Sequence, residues 1–185
     1  MIYVIDDFVD LTEMNNIKDD FTRVDTPGKS FWVKLPSEMF LEHVCKKVSD
    51  VENSTIIPIL SFFRQAKEGQ DNDWRIHCDY IIEGQKPDRA LVVYMSDDNK
   101  ESLNGTAFWE HAVYGDCVED ISNEDYDSLL ENDSNNLDRW TLKSVIGHKK
   151  GRVLSYPCNY FHSKYPNEFK EDRIVFVMFY KTIKK

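Results

Sequence analysis

From Ser54 onward the chain carries short runs rich in β-branched and aromatic residues: STIIPILSFFRQA, WRIHCDY, RALVVYMS, TAFWEH, WTLKSVIGH, GRVLSYP and RIVFVMFYKT. Runs of this length and composition read as strands. Turn signals punctuate them at Glu68-Gly69, Glu83-Gly84, Asn104-Gly105 and Lys149-Lys150-Gly151. Ahead of Ser54 the spacing changes. DLTEMNNIKDDF (10–21) and PSEMFLEHVCKKVSDV (36–51) place apolar residues at helical intervals, and Pro36-Ser37 supplies a helix start. The first third, about 1–53, therefore reads as helical support, and about 54–182 as a β core. Strands that follow one another without intervening helices predict a sandwich or barrel. The expected fold class is mainly β with N-terminal helices. Residues 113–138 interrupt the strand pattern, with NEDYDSLLEN as a short helix inside them.

Composition narrows this to one domain spanning 1–185: 185 residues, 41% of them hydrophobic, suffice for one sizeable core and not for a second full domain. The net charge of −10 is local. Nine acids and no Lys or Arg fall between Val113 and Asp138, so the remainder carries 24 acids (33 − 9) against 23 bases. Such a balance excludes a duplex nucleic-acid surface, which needs clustered Lys and Arg. The opening MIYVIDDFVD has acids where a signal peptide is basic, and IVFVMFY (174–180) is too short to span a bilayer. Cys45, Cys78, Cys117 and Cys158 form no CxxC pair. The expectation is a soluble, cytoplasmic protein with reduced thiols and no membrane contact.

The chemistry begins in WRIHCDY, where His77, Cys78 and Asp79 stand side by side. Successive strand side chains face opposite ways, so His77 and Asp79 share a face and Cys78 belongs to the core. Downstream, GRVLSYPCNYFHSKYPNEFKEDR (151–173) adds a second imidazole, His162, and a cation, Arg173, that opens the last strand. Two imidazoles and one carboxylate leave three coordination positions open, the arrangement that suits non-haem Fe(II) and O₂ chemistry. The same donors also suit Zn or Mn. Trp74 and Trp109 flank this region and read as packing. His43, His111 and His148 lack a compatible partner in the sequence pattern and read as structural or exposed.

At this point the chain resembles the Fe(II)- and 2-oxoglutarate-dependent dioxygenases, most nearly their prolyl 4-hydroxylase-like branch, over roughly residues 56–182. FFRQAKEGQDNDWRIHCD is similar to the family's Arg-containing strand, glycine turn and His-x-Asp strand. RALVVYMSD is similar to its Tyr-bearing strand, NGTAFW to its Gly-Thr-x-Phe segment, and GRVLSYPCNYFHSKYP to its Gly-Arg, Pro and distal-His segment. Arg173, eleven residues after His162, falls where the family keeps its 2-oxoglutarate cation.

The resemblance implies a double-stranded β-helix (jelly-roll, cupin-like barrel), His77, Asp79 and His162 as iron ligands, and Arg173 paired with the 2-oxoglutarate C5 carboxylate. Tyr94 matches the family's donor to that carboxylate, and Arg64 is the next candidate cation. Where the family often has Ser or Thr after the arginine, this chain has Val175 and Val177, so a third donor is missing from the motif. The implied reaction is hydroxylation of a C–H bond, with O₂ and 2-oxoglutarate as co-substrates and succinate and CO₂ released. Substrates open to it are a protein or peptide prolyl residue, other protein residues, or a small molecule. Two other classes compete: a non-catalytic double-stranded β-helix that binds metal or ligand, and a Zn or Mn cupin-type enzyme. Neither needs a cation placed for 2-oxoglutarate. The acidic segment 113–138 is expected near the barrel mouth, either as a solvated loop or as a cover that attracts a basic substrate.

Overall fold

The computed structural model describes the chain except for residues 10–16, 18, 19, 27, 28, 67–74, 98–102 and 168–171. The described strands are β1 (Tyr3–Ile5), β2 (Thr22–Thr26), β3 (Lys29–Lys34), β4 (Ser54–Ala66), β5 (Arg89–Tyr94), β6 (Gly105–His111), β7 (Trp140–Gly147), β8 (Val153–Pro157), β9 (His162–Tyr165) and β10 (Arg173–Lys184). Two helices accompany them, α1 (Glu38–Glu52) and α2 (Asn123–Asn132), with a 3-10 turn at Leu137–Arg139. The pairings among the described residues are antiparallel, in a seven-stranded sheet ordered β1-β8-β5-β10-β4-β3-β2 and a three-stranded sheet ordered β7-β6-β9. Two facing antiparallel sheets with a helix behind one of them make a jelly roll, as the strand pattern predicts.

Side-chain alternation divides the apolar residues into three cores. On β10, Ile174, Phe176 and Met178 turn outward and pack with Leu91 and Val93 of β5 under α1. Val175 and Phe179 turn inward with Ala90, Val92, Tyr94, Phe108, Leu154 and Tyr156, between the two sheets. A third cluster lies beyond the small sheet, where Ala107 and Trp109 of β6 meet Ile76, Cys78, Tyr80 and Phe161. Helix α1 forms where the periodicity places it. Ser37 caps it, its Oγ accepting from the Phe40 amide at 3.2 Å, and such a cap contributes about 1 kcal/mol. Phe40, Val44 and Val48, one turn apart, bury the face that meets the sheet.

The described part of the first third is less helical than its periodicity predicts. Residues 22–34 form the hairpin of β2 and β3, and β3 extends the large sheet beside β4. Its signal is TRVDTPGKSFWVK, two β-prone runs around Pro27-Gly28. The helix expected over 10–21 lies mostly outside the described residues, and described residue 17 is not helical. Among the described residues no helix is long and apolar enough to cross a membrane, and none of the four cysteines is bridged.

A polar cluster ties the end of α1 to the sheet. Glu52 accepts from the Tyr3 hydroxyl at 2.8 Å, from the Tyr180 hydroxyl, and from Arg89 Nε at 3.1 Å. Glu52→Ala would leave the Arg89 charge without its carboxylate in a mostly buried setting. Loss of about 3 kcal/mol in urea unfolding is expected, and an unchanged midpoint would show that the cluster does not hold the helix to the sheet.

Candidate metal centre and the cavity around it

His77 and Asp79 lie on an extended segment with no continuous strand partner, and His162 opens β9. A reciprocal backbone pair joins the two: His77 N–H donates to His162 O at 3.0 Å, and His162 N–H to His77 O at 2.8 Å. The Asp79 amide donates to Cys158 O at 2.8 Å, anchoring the other end of the segment. The parity expected of a strand holds although the segment is not a regular one. His77 and Asp79 face the cavity, while Ile76, Cys78 and Tyr80 enter the third core. Burial pushes the Cys78 thiol up to about 11, so near neutral pH it is not the thiolate a metal takes.

The three potential ligands converge. Asp79 Oδ2 is 3.3 Å from His162 Nε2, Asp79 Oδ1 is 3.7 Å from His77 Nε2, and one donor atom from each residue lies within 4.8 Å of the others. Donors about 2.1 Å from one ion and at right angles are about 3 Å apart, so a small inward movement would close the set around a cation. The ring tautomers support this. His77 Nδ1 is 2.7 Å from Arg75 O, and His162 Nδ1 is 3.0 Å from Tyr160 O. A carbonyl only accepts, so both Nδ1 atoms carry a proton and both Nε2 atoms are the ones directed to the Asp79 side. Burial alone would raise the Asp79 carboxyl, yet His162 and His77 beside it hold it below the usual range. Burial would lower His162, and Asp79 overrides this to hold it above the ordinary value.

These residues line one cavity of about 300 Å³, together with Leu60, Phe62, Arg64, Ile82, Val92, Thr106, Tyr156, Ser163, Lys164, Arg173, Val175, Val177 and Phe179. Arg173 is buried at the start of β10, where its Nη2 donates to Gly105 O at 3.3 Å and its guanidinium lies 5.5 Å from the Tyr94 ring centroid. Gly105 is required here, because a Cβ on it would stand 1.9 Å from Ile146 O. Tyr94 is fully buried and not among the lining residues. Its hydroxyl donates to Thr106 Oγ1 at 2.9 Å, with Ile146 O at 3.3 Å. Thr106 therefore stands between Tyr94 and the cavity, and a hydroxyl that accepts one hydrogen bond still has its own proton to donate. Val175 and Val177 offer no donor, and Thr106 is a polar group the motif comparison missed. Its signal was present as the Thr of NGTAFW. Tyr156 was also missed. It is buried against His162, with ring centroids 4.7 Å apart, and nothing in GRVLSYP marks it as different from a core residue.

The acidic segment 113–138 lines no part of the cavity. It packs behind the segment that carries His77 and Asp79 instead. The Tyr126 hydroxyl lies between the two main-chain groups of Cys78, donating to its carbonyl while the Cys78 amide approaches at 3.3 Å. Ser134 Oγ donates to Ile76 O at 2.8 Å, and the Ile76 amide donates to Ser134 O at 2.9 Å. The segment is thus neither a cover over the mouth nor a purely solvated loop but a brace at the back, because Leu129 and Val118 supply apolar surface that the third core buries. His111 and His148 do have partners. His111 Nδ1 faces the Val113 and Tyr114 amides at 3.3 Å, so Nε2 carries the proton and donates to Asp133 Oδ2 at 3.1 Å. His148 Nε2 donates to Ser96 O at 3.0 Å. Trp109 packs in the third core with its indole N–H on Ser163 at 2.9 Å. Trp74 lies outside the described residues.

No family model matches the sequence, and no curated protein matches it. Solved structures match along nearly its whole length. HygX from Streptomyces hygroscopicus, solved with nickel and 2-oxoglutarate bound, aligns with a TM-score of 0.63 at 15% identity, over 97% of this chain and 82% of that one. A Pseudomonas putida prolyl-4-hydroxylase aligns at 0.56 and 7% identity, over 97% and 91%. The viral collagen prolyl hydroxylase of Paramecium bursaria Chlorella virus-1, in its 2-oxoglutarate complex, aligns at 0.56 and 13% identity, over 99% and 96%. The chain has the fold of these solved structures.

The brace gives a test of how the ligand pair is held. Tyr126→Phe removes the hydroxyl that fixes Cys78 between the ligands, and anaerobic Fe(II) calorimetry should show affinity about tenfold weaker. Cys78→Ala should bind iron nearly as wild type does. Equal affinity for Tyr126→Phe and wild type would show that the segment keeps its shape unaided.

Proposed function

We propose that the chain is an Fe(II)- and 2-oxoglutarate-dependent dioxygenase that hydroxylates a substrate C–H bond. The observation that carries this is the shared cavity, with two Nδ1-protonated imidazoles and a carboxylate in reach of one cation, and a buried arginine beside the same space. His77 Nε2, His162 Nε2 and one Asp79 oxygen would hold the ion and leave positions open for co-substrates. When bound, iron with 2-oxoglutarate supplies the O₂ activation that ends in succinate, CO₂ and a hydroxylated carbon. Everything else falls to the chain's own residues.

Arg173 would bind the C5 carboxylate through charge-assisted hydrogen bonds, with the Thr106 hydroxyl as a neutral donor and Tyr94 holding Thr106 from behind. The Arg75 and Tyr160 carbonyls keep both imidazoles oriented toward the ion. The apolar inner faces of β5 and β10 keep water from the reacting carbon. A Zn or Mn cupin or a silent binding module has no need of the Arg173–Thr106 end of this cavity. A prolyl residue of a protein or peptide is the finer reading of the substrate. It rests on the likeness to two solved prolyl hydroxylases.

The test is stoichiometric. With Fe(II) and O₂, 2-oxoglutarate should be consumed with equal release of succinate and CO₂, and His77→Ala should abolish this together with iron binding. Arg173→Leu should keep iron and require roughly thirtyfold or more 2-oxoglutarate, the effect of removing one partner of a buried charge pair. Undiminished turnover in His77→Ala would overturn the ligand set. An unchanged 2-oxoglutarate requirement in Arg173→Leu would move the carboxylate to Arg64.

A further inference from the structure

Strand register divides the cavity into two unlike ends. The cationic end lies at the start of β10, where Arg64 stands opposite Val175 and two residue pairs from Arg173, and Lys164 stands opposite Thr106. Further along β10, Val177 sits between Phe62 and Val92, and Phe179 between Leu60 and Ala90. Ile82, just beyond Asp79, joins this second end, and among the described residues no Lys or Arg lines it. The six steps from Arg173 to Phe179 cover about 20 Å, more than a five-carbon diacid spans. A co-substrate held at Arg173 therefore leaves the Phe179 end for something else. Leu60, Phe62, Ile82 and Val177 are only partly buried there, because three strands cover part of a seven-stranded sheet. Half-wet apolar residues beside convergent polar groups are the mark of a ligand surface.

We infer that the primary substrate presents an uncharged hydrocarbon group of about benzene size, a ring or a branched aliphatic, to this end, and that Phe62, Val177 and Phe179 select it. The inference rests on the proposed dioxygenase reading and adds the class of the reacting group. Size follows from volume: about 150 Å³ houses one benzene, so a cavity of about 300 Å³ holds the diacid and one such group. Chemistry follows from the walls. Leu60, Phe62, Val92, Val177 and Phe179 offer no hydrogen bond, so a guanidinium, an ammonium or a sugar would lose its hydration there unpaired. The acidic segment does not offset this for a basic side chain, since it lies behind the ligand segment.

The holoprotein with Fe(II) and 2-oxoglutarate, kept under argon, is titrated calorimetrically with toluene and, separately, with arginine amide and glucose. Toluene should bind saturably and the two polar probes should not. Phe62→Ala should weaken toluene about tenfold or more, and Leu60→Glu should remove it. Where Leu60→Glu does not fold, Phe62→Ala carries the comparison. Arginine amide or glucose binding while toluene does not would overturn the inference, as would toluene binding unaffected by Phe62→Ala. Titrating 2-oxoglutarate into the Fe(II) protein beforehand separates the two proposals: its failure to bind sinks the dioxygenase reading, whereas toluene failing where 2-oxoglutarate binds sinks this one.

Discussion

Two main-chain hydrogen bonds between His77 and His162 set the geometry on which the rest of the site depends. They join an extended segment that lacks a continuous strand partner to the first residue of β9, and so bring two imidazoles from distant parts of the chain to a ring separation of 4.6 Å. Parity then turns Asp79 to the same side as His77. Once these positions are fixed, the Arg75 and Tyr160 carbonyls decide which nitrogen of each ring is protonated. The three donors would diverge if that backbone pair slipped by one residue, because a slip reverses every side chain.

The surrounding structure reads as support for this pair. In front, the large sheet supplies the cavity floor, with Arg173 at one end and Phe179 at the other. Behind, the acidic segment supplies a hydroxyl, a serine and an apolar face in place of the neighbouring strand that the segment lacks. Its carboxylates are mostly on the solvent side, where charge keeps a surface helix soluble. The buried Glu52 cluster and α1 stiffen the outer face of the same sheet, far from the chemistry.

Much of this was legible because strand parity and local periodicity are short-range properties. STIIPILSFFRQA, WTLKSVIGH and RIVFVMFYKT became β4, β7 and β10, NEDYDSLLEN became α2, and Cys78 faced away from His77. The pairing of β2 with β3 has a weak signal in the sequence, because its β-prone runs stand between two helix-like stretches. β9 has no such signal in the sequence. Four residues beside a loop carry too little pattern, and His162 is a strand residue only because β6 and His77 pair with it. Long-range placement was the other blind spot. That Thr106 lines the cavity and Tyr94 stands behind it depends on how β5 packs across β6, and that the acidic segment braces rather than covers depends on the third core. Neither is written in any local spacing.

The central claim is that one ion at His77, Asp79 and His162 shares its open positions with 2-oxoglutarate in this cavity. Anaerobic absorption spectroscopy reads it directly, because Fe(II) chelated by a 2-oxo acid gives a metal-to-ligand charge-transfer band in the visible. The account predicts that the band appears on adding 2-oxoglutarate to the Fe(II) protein, is absent with succinate, and is lost in Asp79→Ala. Iron and 2-oxoglutarate both bound, with no visible band, would contradict it.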